Sequence, residues 1–323
     1  MAYPKINIDQ IIAEFGAQYR QGGIGQQNLQ TAIFQPEETR SLFTPWPTED
    51  TIVYKATASI KRVLQAFQKS FTPIGDVKFE LESIALDRVK IDEYIEPDDI
   101  MPTFLGFLAG MGPVDRTQWG IVRYMIEELI VKQYKQDLEI SEIFKGVKGP
   151  IIEGTPNLEG TSINGVRKKL RDGHTAGKTN MITMGTPPVD PVEFVEYVED
   201  FIKQIPELYR FRMDGLTMNK TLRARFKEGM RLKYNVNYAQ VSSLLTVLDA
   251  ENIAINGVAS MAGSNMMYAT FKANTAAPEK WGANQQTFDM QKFDRGVKLL
   301  SDWWVGIGFW YLGWVWHNDQ DLV

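Results

Sequence analysis

Cysteine is absent from the 323 residues, which excludes disulfides, thiolate metal sites and cysteine nucleophiles together and suits a reducing compartment. Histidine is nearly absent, with His174 and His317 alone. A histidine-based metal site needs more ligands than that, and carboxylates would have to supply the rest. Charge of one sign is not in large excess. The formal net charge is −5, whereas a dedicated nucleic-acid binder carries a net basic footprint; a local basic face stays open. Long hydrophobic runs are missing too. The richest apolar stretch, Trp303 to Trp316, has 14 uncharged residues with three glycines among them. It is shorter than the roughly 20 residues that span a bilayer and reads as buried strand, so no membrane partner is expected. The opening Met1-Ala2-Tyr3-Pro4-Lys5 has no apolar signal-peptide core. What is present is ordinary for a globular chain, 44% hydrophobic and 23% charged, and 36.8 kDa suffices for one large core or two smaller ones.

Residues 1–50 read as an arm. Ile8, Ile11, Ile12, Phe15 and Tyr19 recur at helical spacing, a Gln/Gly stretch follows over 21–30, and Thr44-Pro45-Trp46-Pro47 demands extended backbone. Such a segment needs another surface to lie on. From Thr51 to Ile95 the texture is strand-like: Val77, Phe79 and Leu81 alternate with Lys78, Glu80 and Glu82, the period of a half-buried strand. The alternation slips at Ser83 and again before Val89, which indicates a bulge or turn in a long ribbon. Asp76 to Asp99 holds nine acids against three bases.

A loop is expected from Glu96 to Pro113, followed by the clearest helix, Thr117 to about Leu138, capped by Asp115 or Thr117. Its apolar stripe is Trp119, Val122, Met125, Ile126, Leu129, Ile130, Tyr134 and Leu138, opposite the i,i+4 pairs Arg123/Glu127 and Glu128/Lys132. Residues 145–188, with eight glycines and four prolines, read as a long irregular excursion. A second helix starts at Asp190, with Pro191 at its first position and Glu193 completing a capping box. A third, Lys220 to about Tyr234, buries Leu222, Phe226 and Met230 and carries six bases against one acid over Lys220–Lys233. Residues 253–273 read as strand, turn, strand. Helices and strands mix without βαβ regularity, so the class is α+β.

The chemistry that can be sought is sparse. Gly173-His174-Thr175-Ala176-Gly177-Lys178-Thr179 approaches a phosphate-binding loop, but Asp172 stands where the first glycine belongs, and a basic helix-like stretch precedes it instead of a strand. A flexible basic loop is the plainer reading. Asp98/Asp99 and Glu127/Glu128 are adjacent carboxylates that diverge rather than face each other, as acid–base work requires. Ser260 and Ser264 flank a turn that does not match a nucleophile elbow. The basic stretches Arg167/Lys168/Lys169/Arg171 and Lys220–Lys233 read as solvated helix faces, as nucleic-acid contacts, or as partners of a neighbour's acidic ribbon. The C-terminal tryptophans are core rather than a stacking platform. No catalytic, cofactor-binding or metal residue is expected.

This order of elements resembles the Hong Kong 97-like fold of tailed-phage major capsid proteins and encapsulins. The strings Phe71-Thr72-Pro73-Ile74-Gly75, Ile95-Glu96-Pro97-Asp98-Asp99 and Arg116-Thr117-Gln118-Trp119 carry the resemblance. Gly257 through Asn265 is similar to the axial-domain turn of Bacteroidetes-phage capsid proteins. The resemblance implies an N-terminal arm (1–50), an extended loop (51–95), a peripheral domain with a spine helix (96–146), an axial domain (147–285) and a return to the peripheral domain (286–323). It also implies a non-enzymatic virion subunit assembled in the host cytoplasm. Such a subunit forms hexamers and pentamers around double-stranded DNA, with a portal and a separate scaffolding protein, because nothing before Thr51 is a long helical scaffold. An encapsulin-type shell, a tail-tube or baseplate subunit, and a carboxylate-based glycoside hydrolase are the alternatives. Contacts between subunits are expected at Trp46, Phe67 and Phe71, and between Glu80 and Glu82 on one subunit and Arg223, Lys227 and Arg231 on the next.

Overall fold

The computed structural model describes residues 8–19, 37–60, 64–74, 77–110, 120–234, 246–247, 250–281 and 288–322. Helix α1 (Ile8–Tyr19) opens the chain and turns Ile11 and Phe15 into the core. The short helix α2 (Glu38–Ser41) and strand β1 (Pro45–Thr48) follow. Next come β2 (Ile52–Ile60), β3 (Val77–Ala85) and β4 (Asp87–Ile95).

The expected loop after Glu96 is instead helix α3 (Pro97–Ala109). Pro97 at its first turn with Asp98 and Asp99 beside it is a helix start, and Phe104, Phe107 and Leu108 hold it to the core. The long helix α4 begins at Ile121, after Gly120 in extended conformation; the expected start and caps at Asp115, Thr117 and Trp119 lie outside the described residues. It is unbroken to Glu142 but not uniform. Ordinary turns over Ile121–Arg123 and Val131–Asp137 alternate with wider i→i+5 turns over Tyr124–Ile130 and Leu138–Glu142. The wide turns rotate the stripe. Val122, Met125, Ile126 and Val131 are buried, whereas Leu129, expected on that stripe, is 41% exposed.

Residues 145–188 are less irregular than their glycines imply, since they contain α5 (Val166–Thr175) and β5 (Asn180–Ile182). Helix α6 (Pro191–Lys203) starts as expected, Asp190 Oδ1 accepting from the backbone N–H of Val192 at 2.9 Å and of Glu193 at 3.0 Å. Then come α7 (Glu207–Arg210), β6 (Gly215–Asn219), α8 (Lys220–Tyr234), β7 (Thr246–Val247) and β8 (Ala250–Val258). The remaining strands are β9 (Tyr268–Thr270), β10 (Thr275–Lys280), β11 (Asp289–Phe293), β12 (Gly296–Val305), β13 (Gly308–Phe309) and β14 (Trp316–Asn318).

Two sheets organise the body. In the first, β12 lies between β4 and β11, all antiparallel; β10 joins at the far end of β12 and carries β1 and β13. Helices α1, α3 and α4 cover it, Val122, Met125 and Ile126 clustering with Val297, Leu299 and Trp303. The Trp303 indole donates to the Tyr134 hydroxyl at 2.9 Å. The second sheet runs β5-β14-β9-β6-β8-β7 and is covered by α6 and α8. These helices approach so closely that a Cβ on Gly229 would collide with the Pro191 carbonyl. The strand, turn and strand expected over 253–273 are present as β8, the turn after it and β9, and β6 lies between the two strands in the sheet. The chain end leaves the first sheet, β14 pairing with β5 and β9 in the second. A third cluster, including Phe43, Phe144, Leu170, Met261 and Phe309, joins the two sheets.

Candidate assembly surfaces

Strands β2 and β3 form a sheet of their own, paired antiparallel from Ile52↔Ala85 to Ile60↔Val77. Nine residues per strand at about 3.4 Å each make an arm about 30 Å long. Opposed residues share a face. One face therefore carries Ile52, Tyr54, Ala56, Leu81 and Phe79, and the other Val53, Lys55, Glu82 and Ile84. Only the root of the second face is covered, by packing of Val53 and Ile84 with Leu86, Ala276 and Trp310. The apolar face is bare: Tyr54 is 58% exposed, Leu81 62% and Phe79 77%. Beyond the strands, Phe67 and Phe71 are each 93% exposed. The alternation in β3 thus marks an apolar face that its own chain leaves uncovered. The break expected near Ser83 falls at Leu86, where the chain passes from the ribbon into the first sheet. The described part of the acidic run, 77–99, is split accordingly between ribbon, sheet and α3.

The strap Glu37–Thr48 is fastened at many points. Thr39 Oγ1 donates to Glu139 Oε1 at 2.6 Å and lies 2.6 Å from Ser260 Oγ. Arg40 pairs with Glu279 in a buried salt bridge, and Glu38 accepts from Lys220 and from the Ala259 N–H. Both Glu37 oxygens are buried without a hydrogen-bond partner. Burial pushes this carboxyl up to about 7, Arg40 pulling it down and Glu139 pushing it further up. Strand β1 runs parallel to β10, and Trp46, still 44% exposed, meets Trp310 edge-on at 5.1 Å.

The charged residues expected to meet across subunits are unequally available. Glu82 pairs with Lys178 of its own chain at 2.6 Å. Glu80 lies opposite Thr57 in the ribbon, and its side chain lies outside the described residues. On α8, Lys227 is exposed, but Arg223 lays its methylenes along Gly257 with Nε buried and unbonded, and Arg231 is half-buried. Lys220 pairs with Glu38, Lys233 with Glu199 at 3.1 Å, and Arg225 donates to the Pro188 carbonyl. Much of the basic run therefore stitches α8 to its own subunit, which sequence spacing could not reveal.

The carboxylate pairs, serines and histidines are placed apart or engaged elsewhere. Glu127 pairs with Arg123 and Glu128 with Lys132, and Asp98 and Asp99 are exposed in the first turn of α3. Ser264 donates to Asp321. His317 is buried between Thr179 and the Asn318 carbonyl, and burial holds it below the usual histidine range. The Gly173–Thr179 string is the end of α5 and a turn, not a phosphate loop: a Cβ at Gly173 would meet Thr179 and Leu312, and Lys178 is spent on Glu82. Among the described residues no group of three or more His, Asp or Glu is placed to hold a metal, and no helix is long and apolar enough to cross a membrane.

No protein-family model and no curated protein sequence matches the chain. Solved structures do. A chain from the satellite phage P4 procapsid that includes the size determination protein aligns at TM-score 0.59 and 13% identity, covering 96% of this chain and 95% of that one. The capsid of the native GTA particle aligns at TM-score 0.56 and 9% identity over 87% and 89% of the two chains. The capsid of Myoviridae phage XM1 gives TM-score 0.51 and 11% identity over 88% and 93%. These neighbours come from capsid and procapsid structures and are matched over most of their length, and the chain described here has their α+β, Hong Kong 97-like capsid fold.

Proposed function

We propose that this chain is the major subunit of an icosahedral phage capsid, assembling as hexamers and pentamers around double-stranded DNA. The observation that carries this reading is the two-faced ribbon. A two-stranded arm is only marginally stable alone in water, and this one leaves Tyr54, Phe79, Leu81, Phe67 and Phe71 uncovered. A concentration of exposed large apolar side chains on one arm marks an interaction site. The occupant that fits is a second copy of the chain, since the fold is that of proteins whose solved forms are shells. In this reading scaffolding and portal functions are supplied by other proteins. DNA contact falls to the exposed basic groups, without sequence preference.

Negative-stain microscopy of the expressed chain, alone and with a co-expressed scaffolding protein, tests the proposal. Closed shells, with Phe67→Ser/Phe71→Ser subunits folded but unassembled, are the expected result. Tubes, or a monomer that stays monomeric under both conditions, overturn it. Shells that enclose protein cargo and never nuclease-protected DNA shift the reading to an encapsulin-type container.

A further inference from the structure

A cavity of about 300 Å³ opens where the ribbon meets the body, between β3 and α5. Ile84, Ala176, Phe309 and Leu312 form its apolar wall, and Glu82, Lys169, Asp172 and Lys178 its polar one. Most of these charges are already matched. Lys178 bonds Glu82 at 2.6 Å, Lys168 bonds both Asp172 oxygens at 2.5 and 2.7 Å, and Lys148 bonds the nearby Asp87 at 2.7 Å. Lys169 is left over: among the described residues no acceptor hydrogen-bonds its Nζ. The lining itself holds two cations (Lys169, Lys178) and two anions (Glu82, Asp172); with the ion-pair partners behind it, Lys148, Lys168 and Asp87, four cations stand against three anions. Burial holds the Lys169 ammonium below the usual lysine range, against the pull of Asp87 and Asp172. Lys169 is only partly exposed at the cavity and its ammonium has no bonded acceptor, so an anion placed against it is favoured.

We propose that this cavity binds a small organic carboxylate, its anionic end on Lys169 and its apolar body against Phe309, Leu312 and Ile84. The volume is at the lower end of small-molecule sites, which excludes a nucleotide. The half-apolar lining favours a carboxylate with a hydrocarbon body over phosphate or chloride. An occupant touches β3 on one side and α5 on the other, so binding stiffens the root of the ribbon. The site lies within one subunit and does not depend on the shell reading.

The test is calorimetric titration of the full-length subunit with benzoate at constant ionic strength, with phosphate and chloride as comparators. Saturable binding of benzoate is expected, together with slower hydrogen exchange at 82–86 and 169–178. Lys169→Met weakens it by about tenfold or more, as expected for loss of one charge-assisted hydrogen bond, and Lys169→Arg retains it. Leu312→Asp, which sets a competing carboxylate in the apolar wall while leaving Lys169 in place, abolishes it. No saturable binding, equal binding by Lys169→Met, or phosphate bound as tightly as benzoate overturns the proposal.

Discussion

Thr39 Oγ1 donates to Glu139 Oε1 at 2.6 Å, tying the strap to the spine helix across 100 positions of sequence. The Thr39 N–H reaches the same carboxylate at 3.2 and 3.3 Å. Burial raises the Glu139 carboxyl above its ordinary range, and the Thr39 bonds hold it back. Thr39→Val keeps the shape and removes the hydroxyl, so Glu139 loses its shortest bond in a buried site. The expected cost is about 1–3 kcal/mol, read as a lower urea midpoint for the isolated subunit. An unchanged midpoint means that the strap does not secure the body.

Glu37 makes stability depend on pH. Its carboxyl ordinarily titrates at 4.5 and is raised to about 7 in the fold, so between those values the native state binds more protons than the unfolded chain. Stability therefore falls as pH rises through that window and levels off above it. Glu139 is shifted in the same direction and adds to the slope. Glu37→Gln removes the Glu37 share, giving a flatter profile of urea midpoint against pH. Parallel profiles for the two proteins contradict this account.

The spine helix gives a paired test. Ile126 is fully buried against the first sheet, and Ile126→Pro costs about 3 kcal/mol or more by removing a hydrogen bond and clashing with the preceding turn. Leu129→Ala, three residues on but exposed, costs within about 0.5 kcal/mol. Far-ultraviolet circular dichroism with urea titration separates the two outcomes. Equal costs mean that the wide turns do not rotate Leu129 away from the core.

Hydrogen exchange reports on the ribbon. In the free subunit, amides at 64–74 exchange fast, since that segment is exposed throughout. In assembled shells they slow as a neighbour covers Phe67 and Phe71. Strong protection in the free subunit, or none in the shell, counts against an inter-subunit role for these rings.

Charge reversal on α8 now divides by position. Lys227→Glu leaves the subunit folded and lowers assembly yield at low salt, if that face meets a neighbour's acidic surface. The effect fades toward molar salt, where the Debye length is about 3 Å. Arg223→Glu destabilises the subunit itself, because its methylenes pack on Gly257 and its Nε is buried. Light scattering reads the first and thermal unfolding the second. Normal assembly of Lys227→Glu leaves that lysine to DNA or solvent.

Local physics made part of this protein legible from residues alone. Asp190-Pro191 and the apolar face from Phe194 to Ile205 specify α6 because capping and 3.6-residue periodicity act within one segment. The spacing in β3 and the Pro-Trp-Pro of the strap specify extended chain for the same reason. Tertiary structure decided where these pieces go. The wide turns of α4 and the exposure of Leu129 are not marked by the local spacing of its apolar residues. Pro97 and its acids read as loop until Phe104 and Phe107 found a core. Insertion of β6 between β8 and β9, and the passage of β14 into the second sheet, are long-range pairings that no local pattern encodes. The candidate surfaces divide the same way. The exposed rings at Phe67 and Phe71 were foreseeable because a ribbon tip has nothing to bury them. The pairing of Glu82 with Lys178 was not, because it depends on the ribbon root folding back onto α5, a meeting of segments 96 positions apart.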